Sequence, residues 1–429
     1  MNNITVFGRV DNVRNKNKLC FLIVRFHQNN NNNIETVQCI SFKDDLCFEK
    51  VTKLSSETIV KIEGEKSNAN IKSCTIKDYE VIIKNIEVLN QASKLPFELN
   101  NKENVLFDTQ LNKRFFDLRS TINYEIFKTK SRISNIFQKY FFENNFIQIQ
   151  TPKLISAASE GGSNVFELKY FDKKAYLAQS PQLYKQMMIN ADFNRVFEIG
   201  PVFRAENSNT NRHLCEFTGV DIEMELPNCN QFEYLVNFLW KMLFDVFSEL
   251  QKSAVNKDIF DKFQPSIIPE NPVILEFPEV VKLLRDHGCE QKDLDDLSSA
   301  NEYKLGEIVK ERFNSDLFFV TKYPSNIRPF YTMLDLDQNY SKSFDIIYKC
   351  QEISSGAQRE HCYENLIKRI EDLNINKNGL EDYLESFTYG SKCHGGCGFG
   401  LDRITALYLG LNNVKKAVLF PRDPQRLTP

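Results

Sequence analysis

Five short runs rich in β-branched and aromatic residues fill residues 4–90: ITVFGRV, CFLIVRF, ETVQCISF, TIVKIEG and EVIIKNIEVL. Each alternates in part, and Gly, Asn and Lys clusters separate them. Alternation at a period of two marks a strand with one buried face. Five such strands in so short a stretch suit a small closed barrel, with an oligonucleotide-binding barrel as a candidate. The polar tract at 29–33 reads as a hairpin loop within it.

Beyond this barrel the pattern changes. Residues 93–120 are polar and irregular and read as a linker or hinge. Residues 124–142 then carry a helical stripe of Phe127, Ile133, Ile136, Phe137, Tyr140 and Phe141. A strand-like FIQIQTPKLI follows, then mixed strand and helix pieces, a helical QFEYLVNFLWKMLFDVF, and a stretch at 251–320 that reads as an insertion. Strands return before a final helix, LDRITALYLG. Helices among non-repeating strands argue α+β and not a regular βαβ succession. The expected domains are therefore 1–92, a linker at 93–120, and 121–429.

The chain has 429 residues, 42% hydrophobic and 26% charged, which excludes a fully disordered chain. Lys+Arg is 54 against Asp+Glu 57, a net charge of −3, which disfavours a protein that coats nucleic acid. The first 95 residues hold 14 basic and 11 acidic side chains, so a mildly basic front precedes an acidic body. The start, MNNITVFGRVDN, lacks the pattern of a secretory signal, and no apolar run approaches the roughly 18 residues of a membrane span. Eleven scattered cysteines without a CxxC pair read as reduced thiols in the cytoplasm, with no membrane partner. The groups His361–Cys362 and Cys393–His394…Cys397 match no standard zinc spacing.

Several constellations could carry chemistry. Residues 195–224, RVFEIGPVFRAENSNTNRHLCEFTGVDIEM, are two strand-like runs around a polar loop, with Arg204, Glu206, Arg212 and His213 at its mouth. Cations there could hold a polyphosphate and Phe217 could stack on a base. The same residues would equally make a solvated hairpin. Residues 393–410, CHGGCGFGLDRITALYLG, read as a glycine turn opening a helix that carries Arg403. The strings QEISSGAQR, SAASEGGSNVF and QSPQLYKQ offer Glu352, Ser355 and Arg359, Glu160, and Gln182 and Lys185. Each alone reads as an ordinary loop or cap.

Taken together and in this order, these strings resemble a class II aminoacyl-tRNA synthetase, and in particular the aspartyl-tRNA synthetases of the eukaryotic and archaeal type. SEGG, QSPQLYKQ, EIGPVFRAENSNTNRHLCEFTGVDIEME, EISSGAQR, GFGLDR and the ending LFPRDPQRLTP carry the likeness. The resemblance implies an N-terminal five-stranded OB-fold barrel that binds the anticodon, followed by a catalytic antiparallel sheet flanked by helices. It implies ATP-dependent activation of L-aspartate to aspartyl-adenylate and transfer to the 3′ end of tRNA-Asp, with Mg²⁺ assisting. FIQIQTPKL, with Pro152, resembles a dimer-interface motif and implies a homodimer.

The resemblance also implies roles. Phe21, Gln38 and Glu80 would meet the anticodon by stacking and base-edge bonds. Arg204 would bind the α-phosphate of ATP, Glu206 the adenine amino group, and Phe217 would stack on the ring. Arg212, His213, Leu214, Gly400 and Arg403 would complete the ATP site. Glu352 and Ser355 would hold Mg²⁺, and Arg204, Arg403 and Glu352 would carry catalysis. Aspartate would meet Glu160, Gln182, Lys185, Arg204, Ser355, Arg359 and His394, with Asp221 holding the cations. Two cations facing one carboxylate would favour aspartate over its amide. Cys397 stands where many relatives have a small residue, so an altered glycine turn is expected. The rival readings are an asparaginyl or non-discriminating synthetase, and a non-catalytic relative; the intact Arg204, Glu352 and Arg403 speak against the latter.

Overall fold

In a computed structural model of the chain, the N-terminal runs form strands β1 (Asn3–Asn15), β2 (Leu19–His27), β3 (Ile34–Phe42), β4 (Ile59–Asn68) and β5 (Tyr79–Asn90). They close into a barrel in the order β1-β2-β3-β5-β4, with α1 (Phe48–Thr52) between β3 and β4 in sequence. Alternation sets its interior: Cys20, Leu22 and Val24 on β2 point in and join Val10, Val37, Val60 and Ile62 in one buried cluster. Closure requires glycine at a tight crossing. A Cβ on Gly64 would stand 2.3 Å from the Ile82 carbonyl oxygen, and the β4–β5 register shifts there. This is the closed five-stranded barrel that the strand pattern predicts, and the OB-fold that the resemblance implies.

The structure describes residues 3–27, 34–99, 105–156, 165–252, 260 and 262–429, so the asparagine tract and Glu160 lie outside the described residues. Two compact units are present, Met1–Leu106 and Phe107–Pro429.

The second unit opens with α2 (Phe107–Asn112), α3 (Arg114–Asp117) and α4 (Thr121–Glu143). Strands β6 (Ile147–Gln148), β7 (Leu154–Ile155), β8 (Glu167–Tyr170) and β9 (Lys173–Leu177) follow, then α5 (Gln182–Asn190). Next come β10 (Arg195–Phe203), β11 (Glu216–Glu225), α6 (Phe232–Gln251), β12 (Ile274–Glu276), α7 (Phe277–Asp286), α8 (Ser299–Phe313) and β13 (Leu317–Thr321). The unit ends with β14 (Ser343–Tyr348), β15 (Gln351–Gln358), α9 (Tyr363–Asp372), α10 (Glu381–Thr388), β16 (His394–Gly400) and α11 (Leu401–Tyr408).

An eight-stranded sheet runs β12-β13-β14-β15-β16-β11-β10-β6. Only its outer pairs, β12 with β13 and β10 with β6, are parallel. The apolar stripes of α4 and α6 cover it: Ile133, Phe137 and Phe141 pack with Leu235, Leu239, Trp240 and Leu243 over Val220 and Ile222. Each such side chain contributes roughly 1.5–3 kcal/mol by leaving water.

Three local expectations change. The stretch 93–120, read as a linker, contains α2 and α3. Arg114 there is buried, pairs with Asp117 at 2.5 Å and donates to the carbonyl oxygens of Val418 and Leu419. Polar composition concealed this, because a charged side chain is buried only where distant partners meet it. The stretch 251–320 is no separate insertion: β12 and β13 belong to the main sheet, and Phe277 and Val280 of α7 join its core. The glycine-rich string is not a turn but β16, hydrogen-bonded between β15 and β11 in mid-sheet. Cys397 on it is fully buried and points into the core, so it leaves the glycine face unchanged.

Candidate active site

Strands β10 and β11 pair antiparallel from Arg195↔Met224 to Phe203↔Glu216, so the loop between them opens at one edge of a cavity of about 430 Å³. Arg204 follows β10 directly. Its backbone N–H donates to Cys215 O at 2.9 Å, and its guanidinium stands 5.4 Å from the centre of the Phe217 ring. Glu206 lies 3.8 Å from Arg204 Nη1 and 3.8 Å from the imidazole Nε2 of His213. Arg403 enters from α11, donating to Glu352 O at 2.8 Å and Arg212 O at 3.3 Å. Arg212, Leu214 and Gly400 also line the cavity. Cations and an aromatic face thus converge here, as polyphosphate and base recognition needs.

Beside Arg403 the lining is acidic. Glu352, on β15, has its carboxyl pushed up to about 7, by burial first and then by Asp345 and Glu302, with Arg403 opposing. Glu302, from α8, accepts from Glu352 N at 2.6 Å, and burial raises its carboxyl too. Asp345 Oδ2 takes Arg328 Nη2 at 2.7 Å, whereas its buried Oδ1 has no hydrogen-bond partner. Ser355, opposite Asp345 in the strand register, accepts from Arg328 Nη1 at 2.8 Å. An orphaned carboxylate oxygen beside a carboxyl reluctant to ionise suits a hard divalent cation, which prefers oxygen ligands.

The third group is a buried ion cluster. Arg359 donates from Nε to Glu223 Oε1 at 2.9 Å and from Nη2 to Gln182 Oε1 at 3.2 Å and Gly396 O at 2.8 Å. Lys185 of α5 donates to Asp221 Oδ1 and to Cys397 O, both at 3.2 Å, and lies 3.5 Å from Glu223 Oε2. Room for the two carboxylates comes from β16: a Cβ on Gly398 would stand 2.7 Å from Asp221 Oδ1, and one on Gly396 2.4 Å from Glu223 Oε2. The amide nitrogen of Gln182 is buried without a partner.

The expected residues of this unit therefore converge, with distinctions. Gln182, Arg204, Asp221, Ser355 and Arg359 line the cavity, as do the residues expected to bind ATP. Lys185 and His394 do not line it. Lys185 stands against Asp221, and His394 is fully buried beside Gln186 and Lys392 O, where burial holds it below the usual imidazole range. Sequence reasoning missed Glu223, Glu302, Arg328 and Asp345. Glu223 could have been found, because Asp221 and Glu223 share one face of a strand at a spacing of two. Asp345 is a lone carboxylate in the apolar run SFDIIY. Glu302 sits in an ordinary amphipathic helix and carries no such signal.

On the barrel, Gln38 Nε2 donates to Glu80 Oε2 at 2.7 Å across neighbouring strands β3 and β5. Phe21 alternates with the inward Cys20 and Leu22, so its ring stands on the outer surface and is absent from the barrel core.

A family model described as tRNA synthetases class II (D, K and N) matches residues 107–424. The chain is 42% identical to the cytoplasmic aspartate–tRNA ligase of Homo sapiens, over 99% of this chain and 88% of that one. It is similar to the solved aspartyl-tRNA synthetase of Entamoeba histolytica, at 37% identity and a TM-score of 0.88, covering 100% of this chain and 90% of the other. It is also similar to the asparaginyl-tRNA synthetase of Pyrococcus horikoshii, solved with asparaginyl-adenylate, at 28% identity and a TM-score of 0.89, covering 100% and 96%.

Proposed function

The chain belongs to the class II tRNA synthetases of the D, K and N group, and on that premise we propose how its cavity charges tRNA with aspartate. It is an aspartate–tRNA ligase: ATP and L-aspartate form aspartyl-adenylate and pyrophosphate, and the aspartyl group then passes to tRNA. The observation that carries the reading is one cavity lined by Arg204, His213 and Arg403 and also by Arg359, which the buried Glu223 holds.

The aspartate α-carboxylate is already an anionic nucleophile, so the first step needs positioning and charge neutralisation, not a base. ATP would lie with its adenine on Phe217 beside Glu206 and its phosphates toward Arg204, Arg212, His213 and Arg403. Leu214 and Gly400 would shape the floor. Arg204 meets charge developing on the α-phosphate as the bond to pyrophosphate breaks. Arg359 and Gln182 would face the substrate side chain, with Asp221 and Glu223 keeping Arg359 and Lys185 in position. Glu352 and Ser355, with Asp345 alongside, would hold Mg²⁺, which when bound neutralises phosphate charge.

In the second step the terminal ribose hydroxyl of tRNA-Asp takes the aspartyl carbonyl and AMP leaves. Phe21, Gln38 and Glu80 would read the anticodon. Exposed Phe142, Ile147 and Leu154, around the FIQIQTPKL string, support a homodimer. No described helix is long and apolar enough to cross a membrane, and relatives named cytoplasmic support that location. The deciding assay is pyrophosphate exchange with aspartate, asparagine and lysine, followed by charging of tRNA-Asp and tRNA-Asn transcripts. Exchange with aspartate and charging of tRNA-Asp are expected; preference for asparagine would overturn the reading.

A further inference from the structure

Cys229, His361 and Cys393 come from three separate connections of the second unit: after β11, between β15 and α9, and just before β16. One ligating atom from each lies within 4.8 Å of the others. His361 Nε2 is 3.3 Å from Cys229 Sγ, and Cys229 is paired with Cys393, their Cα atoms 5.2 Å apart. The sequence separations are 132 and 164 residues, so no local spacing pattern could announce the group.

Its surroundings are those of a ligand set. Glu360 Oε1 stands 3.8 Å from His361 Nδ1 and is itself held by the backbone N–H groups of His361 and Cys362, at 3.0 and 2.9 Å. Metal-bound imidazoles regularly present their second nitrogen to such a carboxylate. His361 Nδ1 is buried with no hydrogen-bond partner. The connections are pinned as well. Cys229 O accepts from Gln358 Nε2 at 2.7 Å, and Cys393 O from Leu226 N at 2.7 Å. A disulfide would use two of these three groups and leave the imidazole without a task.

We infer that the reduced chain holds one soft divalent cation, zinc foremost, between Cys229 Sγ, Cys393 Sγ and His361 Nε2. Each thiol releases its proton to solvent on binding, and the two thiolates balance the charge of the ion. Tetrahedral zinc with Zn–S of about 2.3 Å and Zn–N of about 2.0–2.1 Å separates its ligand atoms by roughly 3.5–3.8 Å, close to the observed histidine–cysteine approach. Water takes the fourth position. A disulfide removes both thiolates, so it and the metal-bound form are alternative states. The clamp joins the connection carrying Arg359 to the start of the strand carrying His394.

The test uses the full chain, reduced with a phosphine, stripped with a chelator and titrated with Co²⁺ and then Zn²⁺. The expected result is about one equivalent of metal, a thiolate-to-cobalt charge-transfer band that zinc bleaches, and a rise in Tm with zinc. Cys229→Ser, Cys393→Ser and His361→Ala lose the band. Cys362→Ser keeps it, because Cys362 Sγ turns to Glu364 Oε2 at 3.0 Å. Glu360→Gln weakens metal affinity about 10–100-fold. If a cysteine variant does not fold, alkylation of the wild type read by mass spectrometry decides, since zinc protects Cys229 and Cys393 selectively. A reduced chain that takes up no cobalt, a band that survives His361→Ala, or a disulfide that persists under reductant overturns the inference.

Discussion

Glu223 holds Arg359 in a two-pronged ion pair away from solvent, Nε to Oε1 at 2.9 Å and Nη2 to Oε2 at 3.3 Å. Burial alone would push this carboxyl up; Arg359 and then Lys185 outweigh it and hold it low. This buried cluster therefore sets two cations, Lys185 and Arg359, against two carboxylates, Asp221 and Glu223. The sequence reading set Asp221 against the two cations; Glu223 is the further carboxylate, and selectivity for aspartate would rest on how this shared network is re-partnered.

Removing one member of a buried pair leaves an uncompensated charge, which costs about 3–5 kcal/mol. Glu223→Gln is expected to lower stability on that scale and to abolish aspartate-dependent exchange. Because the folded carboxyl titrates low, its contribution is present above pH 4.5 and is lost as pH falls. Denaturant unfolding at neutral pH checks this, and an unchanged midpoint would show that Arg359 does not depend on Glu223.

Arg204 is different, because its side chain is 43% exposed and little packing depends on it. Arg204→Ala is expected to lower pyrophosphate exchange about 10²–10³-fold with little change in Tm. Near-normal exchange would remove it from the α-phosphate.

The Glu352 carboxyl, at about 7, gives a pH signature. Its folded value lies above the ordinary 4.5, so the ligand-free native state binds the proton more tightly and its stability falls as pH rises between these values. A cation at this carboxylate must displace that proton. Mg²⁺ affinity is therefore expected to rise as pH climbs toward and through 7, with proton release that Glu352→Gln abolishes. Calorimetry in buffers of different ionisation enthalpy measures the protons; release of the same size in wild type and variant would contradict the site.

On the barrel, Phe21→Ala should weaken tRNA charging through lost stacking by roughly 1–3 kcal/mol. Exchange without tRNA should stay unchanged, because Cys20 and Leu22, not Phe21, fill the barrel core. Equal losses in both assays, with a lower Tm, would assign Phe21 a structural role.

The residues legible in the sequence are those whose chemistry lies within one local string. Period-two alternation suffices for the barrel, since five short strands have to hide their apolar faces and their edges. Arg204, Glu206, His213 and Phe217 are legible because one hairpin brings them together, and hairpin pairing is local. Tertiary structure alone decided the rest. Asp345, Glu302 and Glu352 repel one another in the folded chain although β14, α8 and β15 supply them separately. β16 reads as a turn because glycine lowers strand propensity, yet it is a central strand: the side chains it lacks are the space that Asp221 and Glu223 occupy. Glu223 with Arg359, and Cys229 with His361 and Cys393, are separated by more than a hundred residues. Sequence patterns report spacing along the chain, whereas charge balance and ligand geometry depend on distances that only the packed sheet sets.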